Sequence, residues 1–138
     1  MEMACELVKR YGPAAGRALL ALIFVFSGWE KITGFSGTVA YMASKGMPLT
    51  AFFAVGAIIL ELGGSIALIL GWHARWGALA LLVFMVPTTL IFHDFWAVDP
   101  AQAQGQLIHF LKNLGIMGGL LYVMAFGAGP VSLDNRHS

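Results

Sequence analysis

The chain has 138 residues, of which 59% are hydrophobic and only 11% charged, and its mean hydropathy is +0.79. That leaves too little charge to clothe a water-soluble domain of this size, so composition alone predicts an integral membrane protein in contact with the lipid bilayer. A formal net charge of +1 and no long basic tail give no argument for nucleic acid as a partner, so none is expected, and a single cysteine, Cys5, excludes an intramolecular disulfide or a thiolate metal cluster within one chain.

The first apolar run extends from Pro13 to Trp29, and Lys9, Arg10 and Arg17 around its start form a basic flank. Pro13 suits a helix start. The run closes on Ser27, Gly28 and Trp29 before Glu30 and not on a small-residue cleavage pattern, so it is expected to be a retained helix and not a signal peptide. The loop from Lys31 to Pro48 offers Val39, Ala40, Met42, Ala43 and Met47, which predict a short interfacial helix ended by Pro48.

The second run, Leu49 to Leu70, is long enough to cross a bilayer and holds one carboxylate, Glu61, with no other charge in it. At 1.5 Å per residue, Glu61 lies roughly 18 Å from the start of the run, close to the membrane midplane. Its stem is too short to reach water, and left unpaired in lipid it costs roughly 2.5 to 3.5 kcal/mol or more. It needs a partner, a proton or a cavity.

The third run, Trp76 to Phe92, contains Pro87, which frees the carbonyl of Val83 and predicts a kink, with Thr88 and Thr89 beside it to satisfy exposed backbone groups. A wet loop follows from His93 to about Gln106, carrying Asp94 and Asp99. The fourth run, Leu107 to Phe126, bears a stripe of His109, Lys112, Asn113, Ile116 and Gly119 at helical spacing. Gly63 and Gly64 on the second helix and Gly115 and Gly119 on the fourth predict a close approach of those two helices.

The runs are apolar on every face instead of alternating, which argues against barrel strands. The reading is therefore all-α, a single domain (1–138) forming a four-transmembrane-helix bundle with helices at about 13–31, 49–71, 75–93 and 107–127. Trp29, Trp72, Trp76 and Trp96 fall at span ends, where such rings sit at headgroup level. Lys9, Arg10, Arg17, Arg75 and Arg136 would lie on one side, with His73 and His137, against Lys31, Lys45 and Lys112 on the other, so both termini are expected in the cytoplasm.

Alternating topology delivers Glu30 and Lys31, His93 and Asp94, and His109, Lys112 and Asn113 to one side of the membrane, whichever side that is. Taken singly, the end residues have an ordinary explanation as groups that snorkel to the interface. Together with Glu61 they predict a ligand or quinone pocket in the outer half of the bundle, lined by Glu30, Lys31, Glu61, His93, His109, Lys112 and Asn113. Glu61 is expected to pair with Lys112, either as scaffold or as part of that pocket. His93, His109 and Asp94 straddle a loop without the spacing that places ligands on one helix face, so no metal is expected. No phosphate loop or nucleophile elbow is present, and no catalytic residue can be named.

The blocks Phe26-Ser27-Gly28-Trp29-Glu30-Lys31, Glu61-Leu62-Gly63-Gly64 and Phe110-Leu111-Lys112-Asn113-Leu114 stand in an order and spacing that resemble the DoxX family of bacterial membrane proteins. The tail Phe126-Gly127-Ala128-Gly129, with closing residues around Ser132 and Asp134, extends that resemblance over nearly the whole chain. It implies a multi-pass protein of the bacterial inner membrane, with family members linked to a thiosulfate:quinone oxidoreductase subunit and to an oxidoreductase complex in oxidative-stress defence. Quinone is then the candidate cofactor, with Glu61, His93 or His109 relaying protons, and any thiol chemistry would lie on a partner. Two other readings stand beside this oxidoreductase-subunit reading: a noncatalytic anchor or scaffold for soluble redox partner proteins, and a carrier of a small amphiphile. Substrate, partner and oligomeric state, a homo-oligomer included, stay open at this point.

Overall fold

A computed structural model describes residues 1–136, and all the regular structure among them is helical. Four helices are long and apolar enough to cross a membrane: α1 (Glu2–Thr33), α3 (Thr50–Leu70), α4 (Ala74–Phe92) and α5 (Pro100–Phe126). Two short ones complete the chain, α2 (Phe35–Ser44) and the single turn α6 (Leu133–Arg136). His137 and Ser138, placed in the cytoplasm by the sequence reading, lie outside the described residues.

Both end helices begin earlier than the apolar runs do. α1 starts at Glu2 and passes through Pro13, because the preceding segment is built of good helix formers and carries a Glu6–Lys9 pair at 3.3 Å. Its 32 residues span about 48 Å at 1.5 Å each, well beyond the roughly 30 Å of hydrocarbon, and residues 1–11 are all exposed. α5 starts at Pro100, whose missing N–H costs nothing in a first turn, and not near residue 107. Hydropathy marks where a helix enters lipid; it does not mark where the helix begins.

A short helix does occupy the first loop, but Pro48 is not what ends it. The chain leaves α2 at Lys45 and turns at Gly46, whose φ of +79° suits glycine. The chain from α3 to α4 turns through Gly71 (φ +64°). α4 continues through Pro87, where the Thr88 hydroxyl donates to the Phe84 carbonyl at 2.8 Å.

α3 packs between α1 and α4, and α5 packs on the far side of α4 with a lighter contact to α1, so α3 and α5 sit diagonally. The core is made by Ala21 and Phe24 of α1, Leu68 of α3, Ala78, Leu81 and Met85 of α4, and Leu120 and Val123 of α5. Bulky side chains such as Leu19, Leu22, Ile59, Ile66, Leu121 and Tyr122 face outward, as a lipid-exposed surface requires.

The small residues work between neighbours and not across the diagonal. A Cβ at Gly64 would stand 3.0 Å from the Gly77 carbonyl oxygen, one at Gly28 2.8 Å from Leu62, and one at Gly119 2.9 Å from Leu20. These close approaches join α3 to α4, α1 to α3 and α5 to α1. Gly63 and Gly115 face open space, so the expected approach of the second and fourth spans through these glycines is not what the bundle uses.

The even number of crossings puts the α4–α5 connection opposite the chain ends. Single cysteines at Gln104 and at Arg136 in a Cys5→Ser background, which removes the exposed native thiol, are expected to report opposite compartments to a membrane-impermeant maleimide in intact and in opened cells, with Arg136 inside. Equal labelling at both sites contradicts a four-span fold; a clean swap reverses only the orientation.

Candidate functional site

At the end of the bundle that carries the termini, the one arginine inside an apolar run is buried. Arg17 is 2% exposed. Its Nε donates to the Ala128 carbonyl (2.8 Å), Nη1 to those of Leu68 (2.6 Å) and Ile69 (3.4 Å), and Nη2 to that of Val131 (2.5 Å). Leu68 and Ile69 are in the last turn of α3, where carbonyls lack i+4 helical partners, although that of Leu68 also accepts the Gly71 N–H at 3.2 Å. The guanidinium thus caps α3 and fastens the segment after α5 to it. Asp134 does the reciprocal work at the start of α4, accepting the N–H groups of His73 (2.6 Å) and Ala74 (2.9 Å). The sequence reading took Arg17 for a flanking charge; its position four residues inside an apolar run was the signal that it needed buried acceptors.

At the opposite end a cavity of about 970 Å³ opens between α1, α3 and α4 and is roofed by α2. Its walls are apolar and aromatic: Met42 and Met47 above, Phe52, Phe53, Ala57 and Leu60 on α3, and Phe84, Pro87, Ile91 and Phe92 on α4. Tyr41 of the roof stacks on Phe92 at 5.3 Å, and just outside the wall Lys45 pairs with Asp94 at 3.2 Å, so α2 is held to the end of α4. Gly56 also lines the space, with nothing near the position a Cβ would take.

One polar feature lies at the depth of the membrane. Glu61 is 1% exposed, and its carboxylate meets Lys31 of α1 at 3.3 Å through Oε1 and 3.1 Å through Oε2. Only the Oε1 contact has hydrogen-bond geometry, so Oε2 is left with charge attraction alone. Lys31 also donates to the Ser27 hydroxyl at 2.7 Å and lies 5.6 Å from the centre of the Phe84 ring. Ser27 and Lys31 are one helical turn apart, which puts both on the face of α1 that lines the cavity. The Ser65 hydroxyl donates to the Glu61 carbonyl and adds to the polar seam inside α3.

Of the residues expected in the pocket, Glu30, Lys31 and His93 line the cavity and Glu61 stands behind Lys31. His109 is exposed and reaches the site only by stacking on the His93 ring at 5.2 Å, while His93 Nδ1 is 2.9 Å from Gln106 Oε1. Asn113 turns away from the cavity and donates to the Thr89 hydroxyl at 3.1 Å, tying α5 to α4. Lys112 is exposed, and the expected Glu61–Lys112 pair does not form. The diagonal placement of α3 and α5 is the reason: α1 is the neighbour that can present a cation to Glu61. Ser27, Tyr41 and the α2 roof were not foreseen as parts of the site.

A helical bundle spanning the membrane four times, with an ion pair buried beside an apolar cavity, is the class of protein that these features define. The chain belongs to the DoxX family, whose model matches residues 12–94, the stretch from α1 to the end of α4 that builds the cavity. It is similar to inner membrane protein YphA of Escherichia coli (strain K12), 35% identical over 120 residues that cover 87% of this chain and 86% of that protein. Inner membrane protein YqjF of the same organism is 37% identical over 123 residues, 89% of each chain. A more distant likeness is to ER-derived vesicles protein ERV29 of Saccharomyces cerevisiae, 26% identical over 131 residues, which cover 95% of this chain but 35% of that protein. No solved structure matches the chain. With these relatives and four apolar helices, it is a multi-pass protein of the bacterial inner membrane.

Proposed function

We propose that the chain is the membrane subunit of a quinone-linked redox system and that the cavity under α2 receives the quinone headgroup. The observation that carries this reading is an apolar, aromatic-walled space in the outer half of the bundle with Lys31 on its wall. Its volume of about 970 Å³ is at the upper end of the roughly 300–1,000 Å³ typical of small-molecule sites, and apolar walls with few polar groups are their usual composition. A quinone headgroup is flat and apolar with carbonyl acceptors at its edge. Tyr41, Phe84 and Phe92 offer ring faces, and Lys31 offers an N–H.

Quinone reduction takes up two electrons and two protons. In this reading the electrons come from a soluble redox partner, and the chain's own residues hold the headgroup and conduct protons. His93 is at the outer end of the cavity, where its ring stacks on His109 and reaches wet loop residues, so it is the candidate entry for protons. Lys31 positions a carbonyl oxygen, and Glu61 holds Lys31.

The test is calorimetric titration of the purified full chain in a nonionic detergent with a decyl-substituted benzoquinone, against empty micelles. Binding is expected, and Gly56→Phe, which fills the cavity from a position with free space, is expected to weaken it at least about tenfold, equal to about 1.4 kcal/mol, while the protein stays folded. Unchanged affinity in that variant places any bound quinone elsewhere. Binding without quinone-dependent electron transfer from co-purified partners favours the carrier reading.

A further inference from the structure

We infer that Glu61 sets the charge that the cavity accepts, so that the site takes neutral amphiphiles with an acceptor headgroup and rejects anionic ones. This rests on the reading of the cavity as a binding site. The cations around it are already matched: Lys31 by Glu61 at 3.1 Å, and Lys45, at the edge of the roof, by Asp94 at 3.2 Å. Glu30 lines the wall and has no ion-pair partner among the described residues, which leaves the surroundings of the cavity short of positive charge.

The donors follow the same pattern. An ammonium group has three N–H bonds; the Ser27 hydroxyl takes one and Glu61 Oε1 another. With its side chain 22% exposed and on the cavity wall, Lys31 has a third to give. A carbonyl, ether or sulfone oxygen accepts that bond without bringing charge. A carboxylate or sulfonate also accepts it, but it then stands next to Glu61 in a region of low dielectric and leaves its own hydration behind. Attraction to Lys31 is offset by repulsion from Glu61, and the desolvation cost stays uncompensated. Glu61 does not touch the ligand in this scheme; it acts through Lys31 as a specificity-determining residue.

Two probes of equal chain length isolate charge from shape: decyl methyl sulfone, which is neutral, and decyl sulfonate, which is anionic at every working pH. Titrated into the full chain in nonionic micelles, the sulfone is expected to bind at least about tenfold tighter than the sulfonate, since like-charge juxtaposition is costly. Glu61→Gln keeps the side-chain shape and leaves Lys31 uncompensated, so this ratio is expected to shrink or invert. Equal or tighter sulfonate binding by the unaltered protein overturns the inference, as does an unchanged ratio in a folded Glu61→Gln. If Glu61→Gln does not fold, the unaltered protein decides by itself. If neither probe nor the quinone binds, the cavity reading falls and takes this inference with it; if all three bind alike, only the charge selection falls.

Discussion

Arg17→Met is expected to lower the stability of the bundle by about 3 kcal/mol or more, the cost of stranding several buried carbonyl acceptors at once. The substitution keeps an apolar stem of similar length and removes the guanidinium that joins carbonyls of Leu68, Ile69, Ala128 and Val131. The Leu68 carbonyl keeps the Gly71 N–H at 3.2 Å, whereas each buried acceptor left without a donor costs about 1–3 kcal/mol. The weakest contact, to Ile69 at 3.4 Å, contributes least. Arg17→Lys is expected to fall in between, because an ammonium carries the charge but cannot span acceptors in three directions with a planar fork. Equilibrium unfolding in mixed micelles of ionic and nonionic detergent gives the order. A loss below about 1 kcal/mol in Arg17→Met, the net worth of one ordinary hydrogen bond, means that the C-terminal segment is held by something else.

Much of this architecture is legible without coordinates, and where legibility stops has a physical cause. The four spans and their helical character follow from hydropathy, because only a helix satisfies its own backbone in lipid. Glu61 stands out for the same reason: its burial is implied by the run that contains it. Its partner is not implied, because hydropathy orders helices along the chain and says nothing of which are neighbours in space. Lys31 and Lys112 both follow from the same alternation of crossings. Only the packing, with α3 beside α1 and diagonal to α5, chooses Lys31. Arg17 illustrates another limit. That α3 must leave carbonyls free at its end is a general rule, but the side chain that meets them comes from another helix 51 positions earlier in the chain. The cavity is least legible, since it depends on where α2 settles after Gly34, and on what Tyr41 and Lys45 find when it does.

Lys31→Met is expected to destabilise the protein more than Glu61→Ala does, although the two side chains belong to one pair. The asymmetry comes from exposure: Glu61 is 1% exposed and Lys31 22%. Without Lys31, the carboxylate stays buried with its desolvation uncompensated, at a cost of about 3–5 kcal/mol. Without Glu61, Lys31 keeps its bond to Ser27 and its place over Phe84, and its long stem can turn the ammonium into the cavity toward water. That loss should be smaller by roughly 1.5–3 kcal/mol, the worth of a hydrogen bond to a charged group. Replacing both together removes both charges, so the double variant should lose less than the sum of the single losses, with a coupling energy of about 0.5–3 kcal/mol. All three variants can be compared by the same unfolding titration. Strict additivity shows that the pair contributes no coupling in the membrane protein as it folds. A reversed order, with Glu61→Ala the worse of the two, shows that Lys31 has no route to water and that the cavity beside it is closed to solvent.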